Sequence, residues 1–253
     1  MSLFIISLPH CSSKVPRDIS SDFALDKIKI LDSLDFGSKE IFGVLPAPII
    51  KAKFSRLVVD LNRDPANVGF KGVVPKTDYK GHQIYKSLKY PDQDIIAQLV
   101  QKYHRPYHKK IEKAFAREEI KFLFDCHSLE SIGPKDAPDA GEGRKDIILS
   151  NNGDINGNLR DSKGLISCPA NIVMFIKSLF EKYGFSVGIN DPYTGGFTTI
   201  HYGRKYSNKN ALQIEINQKL YMNPKDRALD NKKVQDIRIK ILTVFKEFSD
   251  YFA

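Results

Sequence analysis

The chain has 253 residues, 42% of them hydrophobic and 27% charged, which is the ordinary range for one globular domain spanning residues 1–253. The formal net charge of +9 raises the question of a nucleic acid partner. However, the basic residues alternate with acids in segments such as 109–121 and 230–240, as on solvated, salt-bridged helix faces. We therefore expect no nucleic acid partner, and we attribute the positive field to a small anionic substrate.

The cysteines and the hydropathy pattern favour a cytoplasmic protein. Cys11, Cys126 and Cys168 cannot all pair and show no Cys-x-x-Cys spacing. The first residues, MSLFIISLPHCSS, have neither the basic leader nor the long apolar run of a signal peptide. No other stretch approaches the roughly 18 to 20 apolar residues of a membrane span, so we expect no membrane partner. The sequence does not indicate the oligomeric state.

Short apolar runs alternate with longer helical patterns, which predicts an α/β fold whose central, mostly parallel or mixed sheet is flanked by helices. The predicted strands are, in chain order, LFIISL (3–8), RLVVDL (56–61), KFLFDC (121–126), KDIILS (145–150), GFSVGI (184–189) and ALQIEI (211–216). The predicted helices lie at about 92–117, at about 169–183 and within about 225–252.

Three segments between these elements are rich in glycine, proline and polar residues. Two of them, 62–83 and 133–145, are long loops of the kind that often bind a ligand or cover a site. The third, PYTGGFTTIHYGR (192–204), has paired glycines, which let a backbone approach a substrate closely. It is either a loop that presents Thr199, His201 and backbone amides to a substrate, or a plain turn before the last strand.

Polar side chains capable of chemistry follow the predicted strands. Ligands of open α/β sheets bind at the carboxyl ends of the strands, so we expect these side chains to face one cleft. They are His10 after the first strand, Asp60, Asn62 and Arg63 at the end of the second, Asp125, His127 and Ser128 at the end of the third, and Glu215 within the last.

His127 is the strongest candidate for a metal ligand. Asp125 lies two residues earlier on the same strand face, and a carboxylate in that position fixes the second nitrogen of a ligating imidazole. Ser128 can form a further hydrogen bond within the site. The alternative is a buried histidine that Asp125 merely satisfies.

Arg63 is a candidate for binding a substrate carboxylate. Its planar guanidinium matches a carboxylate with two hydrogen bonds, and the neighbouring Asn62 can donate from its amide. The alternative is a surface salt bridge with Asp60 or Asp64.

Glu215 is a candidate for proton transfer. It stands in the apolar run LQIEI, and burial raises the pKa of a carboxyl group towards the value that a general base and acid requires. The alternative is a structural ion pair with Arg56 or Lys219.

Six motifs, taken in order, resemble those of the N-formylglutamate amidohydrolase family. The match runs from about residue 8 to residue 222, which is nearly the whole chain. The resemblance implies a metal-dependent amide hydrolase of amino-acid catabolism, with a phosphorylase/hydrolase-like fold related to the zinc carboxypeptidases. The motifs are LPHCSSKVP (8–16), SRLVVDLNRDP (55–65), YHRPYH (103–108), FDCHS (124–128), GGFTTIHYG (195–203) and LQIEINQKLYM (212–222).

The same resemblance implies roles for individual residues. His10 and His127 match zinc-binding histidines, Asn62 and Arg63 match a carboxylate clamp, and Glu215 matches a general base. The carboxypeptidase pattern has a glutamate three residues after the first histidine, where this chain has Ser13. This departure leaves the third ligand open, and Asp35 is the expected replacement because it resembles the acidic position of the family's Asp-Trp segment. A second departure is Ile200, which replaces the arginine of the family's Thr-Arg-His run and leaves recognition of a distal carboxylate open.

The resulting hypothesis is an enzyme that hydrolyses the amide bond of an N-formyl or N-acyl amino acid. One Zn²⁺, or another divalent ion, is expected on His10, Asp35 and His127. His201 or a neighbouring donor is expected to stabilise the oxyanion, and Thr199 is expected to contact the substrate. One alternative is a zinc carboxypeptidase or peptidoglycan-type amidase on the same scaffold. Another is a non-catalytic module that binds anions or nucleic acid.

Overall fold

The structure, a computed structural model, describes residues 2–161, 164–223 and 228–252. Within these ranges six strands form one mixed sheet, as the sequence predicts, and five of the six predicted strands are confirmed within a few residues. The strands are β1 Phe4–Leu8, β2 Ile49–Lys51, β3 Phe122–Leu129, β4 Ile147–Ser150, β5 Val187–Ile189 and β6 Asn210–Asn217.

The strand order β2-β1-β3-β6-β4-β5 brings three strands of distant sequence together at the centre of the sheet. Strand β1 pairs in parallel with β2 and β3, and β3 pairs in parallel with β6. Strand β4 pairs antiparallel with β6 and parallel with β5. Because β1, β3 and β6 run in the same direction, their carboxyl ends meet at one edge of the sheet.

All three predicted helices are present. The first forms a continuous run of α4, a π-helical turn at Val100–His104 and α5, so the helix continues past Pro106. Residues 225–227 of the third predicted range lie outside the described residues. No helix of the described residues is long and apolar enough to cross a membrane. The helices are α1 Arg17–Ser20, α2 Lys27–Asp32, α3 Ser38–Phe42, α4 Gln93–Leu99, α5 Arg105–Phe115, α6 Ala170–Lys182, α7 Phe197–Lys205 and α8 Asn231–Phe252, with a 3₁₀ turn at Gln218–Leu220.

The sheet carries a separate hydrophobic cluster on each face. On one face, side chains of β1, β3 and β6 pack against α3, α6 and α8. On the other face, a second cluster includes residues of α4 and α5 and much of the segment 52–85. Helices and loops therefore bury both faces, which is why the strands are rich in Ile, Leu and Phe.

The predicted strand at 56–61 is wrong. Leu57, Val58 and Val59 are buried, but this segment is a turn outside the sheet. Its backbone bonds are local, with Val58 N–H donating to Ser55 O, or run to the next loop, with Asp60 N–H donating to Val73 O. Hydrophobicity alone cannot separate a buried turn from a buried strand, because both bury the same side chains.

The segment 192–204, predicted as a loop or turn, is helical from Phe197 onwards, where α7 begins. Its first backbone donors are satisfied by Asn62, because Phe197 N–H donates to Asn62 O and Thr198 N–H donates to Asn62 Oδ1 at 2.8 Å. A helix needs such partners for its first turn. Here the capping residue lies 136 positions away, so no local sequence signal marked the start of this helix.

Phe124→Ala tests the core. Phe124 is 1% exposed and its ring contacts the rings of Phe4, Phe245 and Phe248. We expect the free energy of unfolding to fall by about 3 to 5 kcal/mol, because the lost contacts leave a cavity. Denaturant titration gives this value. The control Phe70→Ala removes a ring that is 55% exposed, and it should change the free energy by no more than about 0.5 kcal/mol. Equal losses for both variants would contradict the packing described.

Candidate metal centre and active site

The two-residue period of β3 and β6 places four polar side chains on one face of the sheet, which we call the site face. On β3 they are Asp125 and His127, and on β6 they are Gln213 and Glu215. The parallel register sets His127 beside Glu215 and Asp125 beside Gln213. Because neighbouring residues in register point to the same side, alternating polar and apolar residues in FDCHS and LQIEI assemble this group.

Three candidate metal ligands converge at the carboxyl ends of β1 and β3. His10 follows β1, His127 lies on β3, and Asp35 lies in the loop before α3; all three are buried. The Nδ1 atoms of His10 and His127 lie 3.1 Å apart. The Asp35 Oδ2 atom lies 2.8 Å from Nδ1 of His127 and 3.4 Å from Nδ1 of His10. The structure thus brings together all three residues that the sequence analysis assigned to the metal.

The loop that carries Asp35 is held by hydrogen bonds to its backbone. Asp35 N–H donates to His10 O at 3.1 Å. The next residue, Phe36, accepts from the hydroxyl groups of Ser128 and Tyr221 at 2.9 and 2.7 Å. The structure therefore places Ser128 against the Asp35 loop, where it positions a candidate ligand.

Each candidate histidine is fixed through its second ring nitrogen. His10 Nε2 lies 2.7 Å from Asp60 Oδ1, and His127 Nε2 lies 3.0 Å from Asp125 Oδ2. Since an ionised carboxylate can only accept, each Nε2 must donate its hydrogen. In the neutral imidazoles both Nδ1 atoms are then acceptors. This pairing of ligating histidines with carboxylates is common around protein-bound zinc.

The donor set fits a divalent cation. Two Nδ1 lone pairs and a carboxylate oxygen face one another, and three acceptors at this distance repel unless a proton or a cation lies between them. Ligands about 2.0 to 2.1 Å from a tetrahedral zinc ion are separated by about 3.3 Å. The three observed separations, 3.1, 2.8 and 3.4 Å, lie near that value. Two histidines and an aspartate leave a fourth position for water, as in catalytic zinc sites.

The electrostatic environment also favours a cation. Burial alone would lower the pKa of the His127 imidazole, but the charges of Asp125 and Glu215 outweigh it and raise that pKa well above its usual value. Burial alone would raise the pKa of Asp60, but Arg56 and His10 hold it well below the usual range. The negative charges around His127 that favour a proton also favour a divalent cation.

A cavity of about 670 Å³ opens over this group. Loops 62–83 and 133–145 both contribute to its wall, in agreement with the binding role expected of such loops. A volume of this size accommodates a small organic ligand. The predicted site residues that line it include His10, Asp35, Asn62, Arg63, His127 and Glu215.

Asn62 and Arg63 occupy different positions in the site. The Asn62 amide is used within the protein, since its Nδ2 donates to Asp125 Oδ2 at 2.9 Å and its Oδ1 caps α7. Arg63 has a half-exposed side chain, and its Nη2 donates to the Tyr79 hydroxyl at 3.0 Å. Arg63 is therefore the better placed of the two for binding a ligand, while Asn62 positions the segment.

Glu215 is a buried carboxyl group at the cavity wall. Gln213 Nε2 donates to Glu215 Oε1 at 3.0 Å. Burial raises the pKa of Glu215 to about 7, and the nearby His127 counteracts only part of this effect. Near neutral pH such a group can both accept and release a proton.

Two further histidines support the Asn62–Arg63 segment from behind. His104 Nε2 lies 3.0 Å from Arg63 O, and His108 Nε2 lies 2.8 Å from Leu61 O. Burial and, to a lesser extent, the neighbouring His104 lower the pKa of His108 to about 3, so His108 is neutral at physiological pH. These contacts fix the backbone on which Arg63 stands.

The structure does not bring Thr199 and His201 to the cavity. Both lie on α7, and neither is among the described residues that line the cavity. Thr199 is buried, and its hydroxyl has no hydrogen-bond partner among the described residues. The ring of His201 stacks on Phe197 at 4.9 Å and is exposed. The predicted roles assumed a loop, whereas both residues lie on a helix.

Arg56 is a functional neighbour that the sequence analysis considered only as a partner of Glu215. Its Nη2 donates to Asp60 Oδ2 at 2.9 Å, and its Nη1 lies 3.7 Å from Asp35 Oδ1. Arg56 thus balances the charge of two carboxylates next to the candidate ligands. Arg56 and Asp60 are four residues apart, a spacing that predicts an ion pair only on a helix. The segment is a turn, so the sequence did not indicate this ion pair.

Comparisons with known proteins concern the family and the fold of the chain. A family model described as N-formylglutamate amidohydrolase matches residues 2–222. N-formylglutamate deformylases of Pseudomonas putida and Pseudomonas aeruginosa are 26% and 25% identical over 86% of this chain and 81% of each relative. A solved N-formylglutamate amidohydrolase from Ralstonia eutropha JMP134 has a TM-score of 0.78 at 20% identity, covering 98% of this chain and 93% of that one. A solved protein from Agrobacterium tumefaciens has a TM-score of 0.72 at 17% identity, covering 99% and 92%. These structures share the fold.

Arg56→Met tests the charge balance of the site. Because it removes the arginine nearest to the carboxylates of Asp60 and Asp35, we expect the free energy of unfolding of the chelator-treated protein to fall by about 3 kcal/mol. Urea titration measures the change. Arg117→Met is the matched control, since it removes an exposed pair with Glu119 and should cost no more than about 1 kcal/mol. A cost for Arg56→Met as small as that of the control would show that the buried pairs contribute little.

Proposed function

We propose that this chain, which belongs to the N-formylglutamate amidohydrolase family, hydrolyses the amide bond of an N-formyl or N-acyl amino acid. The products are the free amino acid and a small carboxylic acid, which is formate for an N-formyl substrate. The observation that carries the proposal is the convergence of His10, Asp35 and His127 beside Glu215 at the wall of one cavity.

The proposal assigns a metal ion to the three converging residues. His10 Nδ1, His127 Nδ1 and a carboxylate oxygen of Asp35 would hold one Zn²⁺ or another divalent ion, with Asp60 and Asp125 orienting the imidazoles. When bound, such an ion would make a water molecule acidic enough to react at neutral pH and would polarise the amide carbonyl.

Glu215 is proposed as the general base and acid. It faces the cavity from the strand next to His127, so its carboxylate can take a proton from the attacking water. The same group then returns the proton to the leaving amine. Its hydrogen bond from Gln213 orients the carboxyl group while leaving the second oxygen for this exchange.

Arg63 is proposed to bind the α-carboxylate of the substrate. Its guanidinium lines the cavity and has donors beyond the one that Tyr79 accepts. Binding the carboxylate there fixes the scissile amide relative to Glu215, and such positioning accounts for much of an enzyme's rate advantage. Asn62 keeps this segment in place, and Thr199 and His201 have no part in the proposal.

Metal content is the first test of this proposal. We expect the purified protein to hold about one equivalent of zinc or another divalent metal, and His127→Ala to lose it together with activity. Inductively coupled plasma mass spectrometry measures the metal. His82→Ala removes a half-exposed histidine paired with Asp78, so it should leave the metal content unchanged. A wild-type protein that hydrolyses N-formyl amino acids after metal removal would contradict the assignment.

Glu215→Gln tests the proton transfer. Glutamine keeps the size of the side chain but cannot accept the proton, so we expect kcat to fall about 10³-fold while metal content and thermal stability persist. Initial rates on formyl, acyl and peptidyl amino acids, assayed side by side, identify the amide that is cleaved. Glu118→Gln, at an exposed position, is the control. Unaltered turnover in Glu215→Gln refutes the role assigned to it.

A further inference from the structure

Tyr79 lies between two arginines at the wall of the cavity. Its hydroxyl oxygen accepts a hydrogen bond from Nη2 of Arg56 at 2.9 Å and another from Nη2 of Arg63 at 3.0 Å. The guanidinium carbon of Arg56 also lies 4.7 Å from the centre of the Tyr79 ring. All three side chains line the cavity. Tyr79 therefore joins Arg56, which balances buried carboxylates, to Arg63, which is proposed to bind the substrate.

The hydroxyl hydrogen of Tyr79 is left without a partner by these contacts. A guanidinium can only donate, so the phenol oxygen is the acceptor in both hydrogen bonds. Its own hydrogen must then point away from both arginines, and it has no acceptor among the described residues. A hydroxyl group that accepts from two cations is polarised by them, which strengthens the hydrogen bond that it donates in turn. Tyr79 can therefore donate strongly to an anionic ligand.

The turn that carries Tyr79 is fixed by the residue before it. Asp78 is buried, and its Oδ1 accepts from the backbone N–H groups of Lys80 and His82 at 2.9 and 2.8 Å. Gly81 N–H donates to Asp78 O, and Gly81 has a φ of +83°, which glycine adopts without strain. The backbone on both sides of Tyr79 is thus ordered before a ligand arrives, which lowers the entropy cost of binding.

We propose that the Tyr79 hydroxyl donates a hydrogen bond to the α-carboxylate that Arg63 binds, and so determines how tightly the enzyme holds this end of its substrate. The inference rests on the proposed function, which places that carboxylate on Arg63. Two acceptors on one guanidinium nitrogen lie about 5 Å apart, so a carboxylate with one oxygen on Arg63 Nη2 can bring its second oxygen within about 3 Å of the Tyr79 hydroxyl. Tyr79 then makes the kind of substrate contact that was expected of Thr199.

Tyr79→Phe tests this hydrogen bond, because it removes the hydroxyl group and keeps the ring beside Arg56. With N-formyl-L-glutamate we expect KM to rise about 10-fold, the loss typical of a hydrogen bond to a charged group. The contact is equal in the ground state and the transition state, so kcat should change less than about threefold. N-formyl-4-aminobutanoate lacks only the α-carboxyl group, and its kcat/KM should stay within about twofold of the wild-type value.

A second substitution separates donation to the substrate from support of Arg63. Tyr79→3-fluorotyrosine, introduced with an expanded genetic code, makes the phenol a stronger donor and a weaker acceptor. If the hydroxyl donates to the carboxylate, KM for N-formyl-L-glutamate should fall by about twofold, measured where the fluorinated phenol keeps its proton. An unchanged or raised KM would show that the hydroxyl serves only as an acceptor for the arginines, and it would overturn the inference.

Tyr90→Phe is the matched control. The Tyr90 hydroxyl donates to Val74 O at 2.8 Å, and Tyr90 is not among the described residues that line the cavity. This variant should keep KM for N-formyl-L-glutamate within about twofold of the wild-type value. Circular dichroism and thermal melting verify that each variant is folded.

Two further results would overturn the inference while the proposed function stands. One is an unaltered KM in Tyr79→Phe, and the other is an equal loss of kcat/KM on N-formyl-4-aminobutanoate. If the wild-type protein cleaves no N-acyl amino acid, the proposed function fails. Calorimetry with N-formyl-L-glutamate then decides the inference without turnover: weaker binding to Tyr79→Phe than to wild type supports it, and equal binding or no binding to either protein overturns it.

Discussion

The site depends on buried negative charge that the protein balances only in part. Asp35, Asp60, Asp125 and Glu215 surround two imidazoles, and Arg56 balances the two carboxylates nearest to it. Buried carboxylates are costly unless they are paired. The imidazoles donate through Nε2 and leave their Nδ1 atoms facing the Asp35 oxygen. A cation at that point would convert three mutually repelling acceptors into ligands, and metal binding would then be thermodynamically linked to stability.

One side chain joins this charged centre to the architecture around it. The Asn62 side-chain amide makes two hydrogen bonds. Its Nδ2 donates to Asp125, and its Oδ1 accepts from Thr198 N–H at the start of α7. Gly196 leaves room for this contact, since a Cβ atom there would lie 2.3 Å from Asn62 Nδ2. The start of a helix, the orientation of the carboxylate behind His127 and the segment that carries Arg63 are therefore coupled through Asn62, and none of them can shift alone.

The sequence predicted those parts of the molecule whose determinants are local. The positions of His127 and Glu215 on predicted strands placed both in one cleft, because the carboxyl ends of the strands meet there. The segment 56–61 was mispredicted because a buried turn and a buried strand have the same hydrophobicity. Asp35 came from the family resemblance and not from a pattern, since its position depends on contacts with distant residues. Asp60 was identified as a possible partner of Arg63, whereas its closest contact is with His10, which only the folded chain reveals.

A chain with a net charge of +9 attracts anions in general. A general positive field raises the local concentration of any anion and hence the rate of encounter, but it does not select among anions. Selection requires a donor whose hydrogen bonds remain unsatisfied until the correct ligand binds, because a ligand that lacks the matching group then leaves a buried donor unpaired. Arg144 cannot act in this way while Asp139 occupies its guanidinium. Arg160 differs from Arg144, since its buried Nε has no partner within the described residues.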